Sequence, residues 1–152
     1  MPKNRKILAC ASIGGHWIQL HRIVNALKDD YEVSFVSSNE SCRSSVEGYK
    51  FYHIHDFTRR NPWWLIPNFF KSLYIVVREN PRAVVTTGSA PCLLCILAAR
   101  VLGKKAIWID SIANVERLST SGKIASRIAS RMYTQWPDLA VDEINYAGNI
   151  LG

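Results

Sequence analysis

KILACASIGGHW, residues 6–17, joins an apolar run to a pair of glycines and then to a new periodicity. The apolar run predicts a strand over residues 6–11. From Trp17 to Leu27 apolar residues recur at helical spacing, with polar residues between them. Because Gly14 and Gly15 allow a sharp turn, this stretch predicts a strand, a tight loop and a helix in succession.

The same alternation of strand and helix continues along the chain. Further strands are predicted at residues 31–36, 50–55, 82–86 and 105–109, and further helices at 92–102 and 123–132. Another helix follows Pro62 and Pro67, with an apolar face of Phe69, Phe70, Leu73, Val76 and Val77. The alternation predicts the α/β class, with a parallel sheet and helices on both faces. No repeat or linker interrupts it, so residues 1–152 are predicted to form a single Rossmann-like domain.

Composition narrows the class of protein. The chain has 152 residues, 48% of them hydrophobic and 20% charged, which is enough apolar material for a core and excludes wholesale disorder. The formal charge of +7 favours anionic partners such as phosphorylated substrates, acidic lipid or nucleic acid. The longest apolar run, residues 92–99, is far below the roughly 18 residues of a membrane-spanning helix, and no cleavable signal peptide fits the N-terminus. We expect a soluble or membrane-surface protein.

Four cysteines are too few for a disulfide scaffold in a chain of this length. Cys92 and Cys95 form a CxxC, but they stand in an apolar helix pattern that is typical of buried thiols. A zinc site would require a second pair of ligands, for which His53 and His55 are poor candidates. The sequence predicts no metal and no redox motif.

Three unusual loops follow predicted strands, at the carboxyl ends where parallel sheets bind ligands. The first surrounds the glycine pair, the second precedes Pro91, and the third runs from Asp110 to Lys123. The third is long for a strand-to-helix connection, where about 2–6 residues is usual. The candidate binding residues in these loops are Ser12, Gly14, Gly15, Thr87, Gly88, Ser89, Asp110, Ser111, Asn114, Ser119, Ser121 and Gly122.

His16 is the candidate catalytic residue. It stands where the first helix begins, and the helix dipole there disfavours protonation of the ring. A neutral imidazole can act as a base or donate a hydrogen bond, beside backbone N–H groups that are free to bind an anion. A plain tight turn would explain the glycines but not His16. Simple helix capping would explain Ser89.

Two other functional classes are weaker alternatives. A nucleotide- or NAD-binding domain of an oxidoreductase would fit the α/β pattern, but GxGxxG is absent and no acidic residue closes the second strand. A basic nucleic-acid-binding domain would fit the charge, but its known motifs are absent and aromatic residues do not alternate with lysines.

The segment RRNPWWLIP, residues 59–67, combines cations with aromatic and apolar residues. Tryptophan beside Arg or Lys is typical of a surface at the water–lipid boundary. We predict that Arg59, Arg60, Trp63 and Trp64 contact a membrane. Most of the helix that follows is expected to belong to the core through Phe69, Leu73 and Val76.

Together these motifs resemble a known group of enzymes. The first loop is similar to the opening of GT-B glycosyltransferases that use lipid-diphosphate acceptors. Thr87-Gly88-Ser89, the run from Asp110 to Lys123, Gln135-Trp136-Pro137 and Tyr146-Ala147-Gly148 resemble one family more specifically. That family comprises the PssD-type polysaccharide-biosynthesis subunits and the anchor subunit of the two-part N-acetylglucosamine transferase of N-glycan assembly.

The resemblance implies the N-terminal, acceptor-binding half of a GT-B fold. A separate small protein would supply the donor-binding C-terminal half, so that this chain alone would be inactive or nearly so. The complex would move a sugar from a UDP-sugar, bound mainly by the partner, to a polyprenyl-diphosphate-linked saccharide. His16 would be the general base, and the enzyme would be inverting, with no metal and no cofactor. The expected location is cytoplasmic, at the inner face of the cytoplasmic membrane.

Two features depart from the family pattern. The eukaryotic anchor subunit carries an N-terminal transmembrane helix, and no such helix is expected in this sequence. The acidic position before the serine of the third loop is often Glu in the family, whereas Asp110 stands here.

Overall fold

The computed structural model describes residues 4–58, 60–141 and 143–149, which contain seven strands and four α-helices. The strands are β1 (Lys6–Cys10), β2 (Glu32–Ser37), β3 (Phe51–His53), β4 (Ala83–Thr86), β5 (Lys105–Ile109), β6 (Arg131–Thr134) and β7 (Ile144–Tyr146). The α-helices are α1 (Gly15–Leu27), α2 (Leu65–Glu79), α3 (Ala90–Val101) and α4 (Thr120–Ile128), and 3₁₀ helices cover Glu40–Val46 and Pro137–Leu139.

The sheet has the order β3-β2-β1-β4-β5-β6-β7, and the pairs are parallel. β1 lies between β2 and β4, so the chain first builds one half of the sheet and then restarts on the other side of β1. In register, Cys10 at the end of β1 lies opposite Thr86 at the end of β4. Such a reversal opens a crevice at the carboxyl ends of the strands. The predicted α/β class with a parallel sheet is confirmed.

Helices cover both faces of the sheet. On one face, α3 packs between α2 and α4 and buries Ile96 against Leu8, Val84 and Trp108 of the sheet. On the other face, α1 packs with the 3₁₀ helix Glu40–Val46 in a second apolar cluster. Because residues on both faces of β1 are buried, its sequence is continuously apolar and does not alternate.

The apolar residues of α2 do not form the single face that the sequence predicted. Phe69 and Leu73 pack against the core and Val76 is buried, as expected. Phe70 and Val77 are 64% and 63% exposed. Successive helical residues are rotated by about 100°, so Phe70 cannot share one narrow face with Phe69. None of the helices in the described ranges is both long and apolar enough to cross a bilayer.

The C-terminal third contains two strands that the sequence did not predict. The helix expected over residues 123–132 ends at Ile128, and the chain then enters β6. Ala129 is already extended, and Ser130 N donates to Ala106 O at 2.7 Å. Ser130 Oγ accepts from Ala106 N at 2.9 Å. These hydrogen bonds to β5 redirect the chain into the sheet.

The cysteines are buried and free. Cys10, Cys92 and Cys95 belong to the core between the sheet and α3. Burial raises the pKa of Cys92 to about 12, which keeps this side chain a neutral thiol. The CxxC motif therefore contributes apolar volume to the α2–α3 side of the core.

A buried carboxylate joins α2 to the edge of the sheet. Glu79 accepts hydrogen bonds from Tyr52 Oη and from Ser34 Oγ (3.3 Å), and Lys50 Nζ lies 3.6 Å from its Oε1. Burial raises the pKa of Glu79, but the hydrogen bonds and the lysine charge outweigh burial and hold the pKa below its usual value. The ionised side chain is therefore the form that stabilises the fold.

We predict that Glu79→Gln destabilises the fold by about 1–3 kcal/mol, because it leaves Tyr52 or Ser34 poorly paired. A carboxyl whose pKa is lowered in the folded state contributes stability above its unfolded pKa of about 4.3, and that contribution is lost as pH falls through the folded pKa. Urea unfolding of both proteins at neutral and at acidic pH should show a smaller acid effect in the variant. The exposed Glu32→Gln is the matched control; equal stabilities of Glu79→Gln and Glu32→Gln would contradict the prediction.

Candidate functional site

The three loops singled out in the sequence meet at one edge of the sheet. They follow β1, β4 and β5, which are adjacent strands, so their carboxyl ends lie side by side. The loop after β4 is hydrogen-bonded to the start of α1, after β1, through Thr87 and His16. Gln19 of α1 is hydrogen-bonded to Ser111 in the third loop. These two contacts join residues that are 71 and 92 positions apart in the sequence.

His16 is held in one orientation by the β4 loop. Its Nδ1 lies 3.0 Å from Thr87 O, and Thr87 Oγ1 donates to His16 O at 2.6 Å. A carbonyl oxygen can only accept a hydrogen bond, so Nδ1 carries the proton. In the neutral form of the ring, Nε2 is therefore the unprotonated nitrogen. This is the tautomer that a general base requires, and the half-buried ring is kept in place from the Nδ1 side.

Gly88 is the residue that admits the His16 ring. An added Cβ at Gly88 would lie 2.8 Å from His16 Cε1 and 2.9 Å from Nδ1, and the backbone φ of +131° also favours glycine. The neighbouring Ser89 has a φ of 102°, which is rare for a residue with a side chain. Strained backbone of this kind concentrates at functional sites.

The N-termini of α1 and α3 both open toward this edge. Gly14 stands at the N-cap of α1 with φ 87°, and no side chain caps the helix. Gly14 and Gly15 are exposed, with nothing within 4 Å of an added Cβ, whereas Ser12 is half-buried. Ser89 stands at the N-cap of α3 but makes no capping hydrogen bond, and its Oγ is buried. Uncapped N–H groups at a helix start can bind an anion.

Asp110 organises the third loop from inside. Its Oδ1 accepts from Trp108 Nε1 (3.1 Å) and Ser119 Oγ (2.8 Å), and its Oδ2 accepts from Ser119 N (3.1 Å) and Asn114 Nδ2 (3.2 Å). Ser119 Oγ in turn accepts from Gly122 N at 2.8 Å and so caps α4. Because protein donors occupy both carboxylate oxygens, Asp110 holds the loop in shape.

Gly122 fits this arrangement only because it lacks a side chain. An added Cβ would lie 2.6 Å from Asp110 Oδ1 and 2.8 Å from Ser119 Oγ. The glycine is therefore explained by close packing against the carboxylate. Ser121, in the first turn of α4, is half-buried beside it.

A pair of buried glutamines, which the sequence analysis did not single out as site residues, links the third loop to α1. Gln19 Nε2 donates to Ser111 Oγ at 3.2 Å, and Gln19 Oε1 accepts from Ile112 N at 3.2 Å. Gln135 Nε2, after β6, donates to Gln19 Oε1 at 2.8 Å and to Asp110 O at 3.0 Å. This network fixes the distance between the helix that carries His16 and the loop opposite. In the sequence, Gln135 stood out only within the Gln135-Trp136-Pro137 motif, and Gln19 was one of the polar residues between the apolar positions of the first helix.

The residues predicted to contact a membrane lie apart from these loops, between β3 and α2. Trp63 is 76% exposed, and Trp64 stacks on His55 with ring centroids 3.6 Å apart. Arg60 is exposed. Arg59 lies outside the described residues. Arg60, Trp63 and Trp64 stand in the connection that leaves the carboxyl end of β3 and leads into α2.

Nothing in the described ranges groups three His, Cys, Asp or Glu side chains suitably for a metal ion. β2 ends at Ser37 and continues into Ser38 and Asn39, so no carboxylate stands where a dinucleotide ribose is usually bound. A largely apolar cavity of about 350 Å³, lined by Ile23, Ile109, Tyr133 and the segment 147–149, lies on the α1 side of β5 and β6. Gln135 lines this cavity too, but His16 does not.

Comparison with known proteins finds one family and several relatives that are similar to this chain. The family described as "Oligosaccharide biosynthesis protein Alg14 like" matches residues 53–150. The UDP-N-acetylglucosamine transferase subunit ALG14 of Mus musculus is 27% identical over 90% of this chain and 78% of its own length. The alg14 subunit of Schizosaccharomyces pombe is 30% identical over 91% of this chain and 79% of its own length.

Solved structures share the fold. MurG of Acinetobacter baumannii superposes with a TM-score of 0.80 and 17% identity, over 95% of this chain and 46% of MurG. The UDP-GlcNAc 2-epimerase of Methanocaldococcus jannaschii gives 0.75 and 15% identity, over 95% of this chain and 45% of the epimerase. The chain thus spans about half the length of these structures. The expected equivalence to half of a GT-B fold is confirmed.

We predict that Asp110→Asn loosens the third loop, because an amide cannot accept hydrogen bonds at both of its terminal atoms as the carboxylate does. Leaving buried donors unpaired should destabilise the fold by about 1–3 kcal/mol and speed amide hydrogen exchange across residues 111–119. Mass-spectrometric hydrogen exchange and urea unfolding measure both effects. The exposed Asp138→Asn is the matched control; exchange as slow in Asp110→Asn as in this control would contradict the role assigned to Asp110.

Proposed function

The chain belongs to the Alg14-like family of oligosaccharide biosynthesis proteins, and from that premise we propose that it is the acceptor-binding subunit of a two-component glycosyltransferase. The complex transfers a sugar from a UDP-sugar to a polyprenyl-diphosphate-linked saccharide. Relatives of 27–30% identity are named as subunits of a UDP-N-acetylglucosamine transferase, which supports both the donor class and the need for a partner.

The observation that carries the proposal is the fixed tautomer of His16 beside open helix N-termini. Thr87 O holds the Nδ1 proton, so Nε2 is available to remove the proton of the acceptor hydroxyl. The hydroxyl oxygen then attacks the anomeric carbon of the donor sugar, and UDP leaves with the bonding electrons. A single displacement inverts the configuration at that carbon. The imidazolium that forms remains hydrogen-bonded to Thr87 O.

The acceptor diphosphate binds at the same edge. Gly14 and Gly15 are exposed at the uncapped start of α1, where backbone N–H groups and the helix dipole favour negative charge. Ser12 and the segment Thr87–Ser89 border this position. In the third loop, Ser111, Asn114, Ser119, Ser121 and Gly122 form the opposite wall, and Asp110 contributes by holding that wall in place.

A partner supplies the other half of the active site. The solved GT-B-like structures are about twice as long as the part that this chain matches, and the chain contains the half described above. We assign to the partner the C-terminal half, which binds the UDP-sugar. The partner then closes over the edge where the loops that follow β1, β4 and β5 meet. Without it, the donor has no complete pocket and turnover is negligible.

The complex works at the inner face of the cytoplasmic membrane. A polyprenyl chain stays in the bilayer, so the acceptor diphosphate can reach His16 only if the crevice lies close to the headgroups. Arg60, Trp63 and Trp64 stand at the same edge of the sheet as the crevice. Tryptophan beside cations suits the boundary between headgroups and acyl chains, and Arg59 extends the set in the sequence.

We predict that His16→Ala lowers kcat of the reconstituted complex by about 10²–10⁴-fold, which is the usual contribution of a general base. KM for the acceptor should change far less, because the binding N–H groups of α1 remain. Initial-rate kinetics with purified partner, UDP-sugar and lipid-linked acceptor measure both constants. His53→Ala, at the end of β3 and outside the three loops, is the matched control. Unchanged turnover in His16→Ala would remove His16 from the catalytic role.

We also predict that the tagged chain, extracted with gentle detergent, brings down one small protein in stoichiometric amount. Mass spectrometry should identify that protein as having a sequence like the C-terminal half of a GT-B enzyme, because this chain offers only the other half. Recovery of the chain from membranes is expected as well. A chain recovered from the soluble fraction, without a partner and without lipid, would contradict the proposed two-component enzyme.

A further inference from the structure

α2 carries a second apolar face that no other part of the described chain covers. Ile66, Phe70, Tyr74 and Val77 are each more than half exposed. Trp63, just before the helix, is 76% exposed. Contiguous apolar exposure of this extent on a soluble domain marks a surface for binding. We call these five residues the α2 stripe.

The stripe is a regular feature of the helix. At about 100° per residue, its members fall within roughly 80° of the helix circumference, and they extend over about 17 Å from Ile66 to Val77. The buried positions of α2 are centred on the opposite side: Asn68, Ser72, Ile75, Val76 and Glu79. The helix therefore has one face that packs against the core and an opposite face that exposes apolar side chains.

The charges around the stripe indicate what kind of surface it contacts. The 22 residues from Phe57 to Arg78 include Arg59, Arg60, Lys71 and Arg78 but no Asp or Glu. Lys71 and Arg78 are seven residues apart and therefore lie along the same flank of the stripe. Arg78 Nη1 donates to Tyr74 Oη at 2.7 Å, which places a cation and a phenol at the same level. Cations beside aromatic and aliphatic residues suit an anionic bilayer surface.

We propose that α2 lies in the interface of an anionic bilayer, with the α2 stripe in the acyl boundary and Lys71 and Arg78 among the lipid phosphates. This inference rests on the membrane location in the proposed function and extends it from the Trp63–Trp64 corner to the whole helix. A protein partner is the less favoured occupant, since the cores of protein interfaces are depleted in lysine and the exposed charges of α2 itself, Lys71 and Arg78, are both positive.

The first test uses the full chain and vesicles of phosphatidylcholine, with and without phosphatidylglycerol. Ile66→Ser/Phe70→Ser should weaken binding to the mixed vesicles by about tenfold or more, because two apolar side chains no longer enter the bilayer. The matched control is Ile18→Ser/Val141→Ser, which removes two apolar side chains of 58% and 56% exposure from other surfaces. Circular dichroism and thermal unfolding confirm that each variant is folded.

The second test concerns the charges. Lys71→Gln/Arg78→Gln should remove most of the preference for phosphatidylglycerol vesicles, because each cation near an anionic surface contributes about 1 kcal/mol, or roughly fivefold in affinity. Lys28→Gln/Lys105→Gln removes the same net charge from exposed positions outside α2 and should keep the preference. Equal losses in the two double variants would mean that net charge, and not the face of α2, attracts the lipid.

Two results would overturn the proposal. One is mixed-vesicle binding by Ile66→Ser/Phe70→Ser as tight as that of the unaltered chain. The other is a chain that ignores both kinds of vesicle but self-associates in analytical ultracentrifugation through the stripe, which would make the stripe a protein interface.

Failure of this inference can be separated from failure of the proposed function. The reconstituted complex should keep its turnover in Ile66→Ser/Phe70→Ser when the acceptor has a short, water-soluble lipid chain. Lost vesicle binding with retained turnover supports the assignment of the stripe to lipid. Turnover lost on the soluble acceptor by this folded variant would place α2 in the cleft and overturn the assignment.

Discussion

The position of β1 between β2 and β4 is the constraint on which the rest of the molecule depends. Parallel pairing on both sides places the ends of β1 and β4 next to each other, with Cys10 opposite Thr86. Only this adjacency lets Thr87 O reach His16 Nδ1 and lets Gly88 accommodate the imidazole ring. The tautomer of His16, and with it the chemistry proposed for the site, is thus a consequence of strand order.

The third loop is ordered by polar groups that are buried but paired. The Asp110 carboxylate accepts four hydrogen bonds, and Gln19 bridges α1, the loop and Gln135. Leaving a buried polar group unpaired raises the free energy of the fold, so this network favours one conformation of the loop over alternative conformations that would break its hydrogen bonds. The loop can therefore be long and still form a fixed wall opposite His16. The same pairing explains why Gly122 must lack a side chain.

The sequence predicted the parts of the fold that follow from burial. β1, β2 and β4 are buried on both faces, and β5 alternates between buried and half-buried residues after its exposed first residue, so these strands appear as short stretches rich in apolar residues. The loops after β1, β4 and β5 were found from their glycines, serines and length. β6 was missed because Arg131 is exposed at its start and its direction is set by hydrogen bonds to Ala106. Gln19 was missed because helical periodicity assigns polar residues to solvent.

The direction of α2 determines how the proposed bilayer would lie relative to the proposed active site. α2 starts after β3 at the carboxyl edge and leads back to the start of β4, so the bilayer proposed along α2 would lie roughly parallel to the strands. β3 is two strands from β1, or about 10 Å at the usual strand spacing. That is comparable to the headgroup layer, which is about 5–8 Å thick on each side. If the bilayer meets the carboxyl edge on the β3 side, as proposed, a lipid-linked diphosphate would need to span about this distance to His16 while its polyprenyl chain remains in the bilayer.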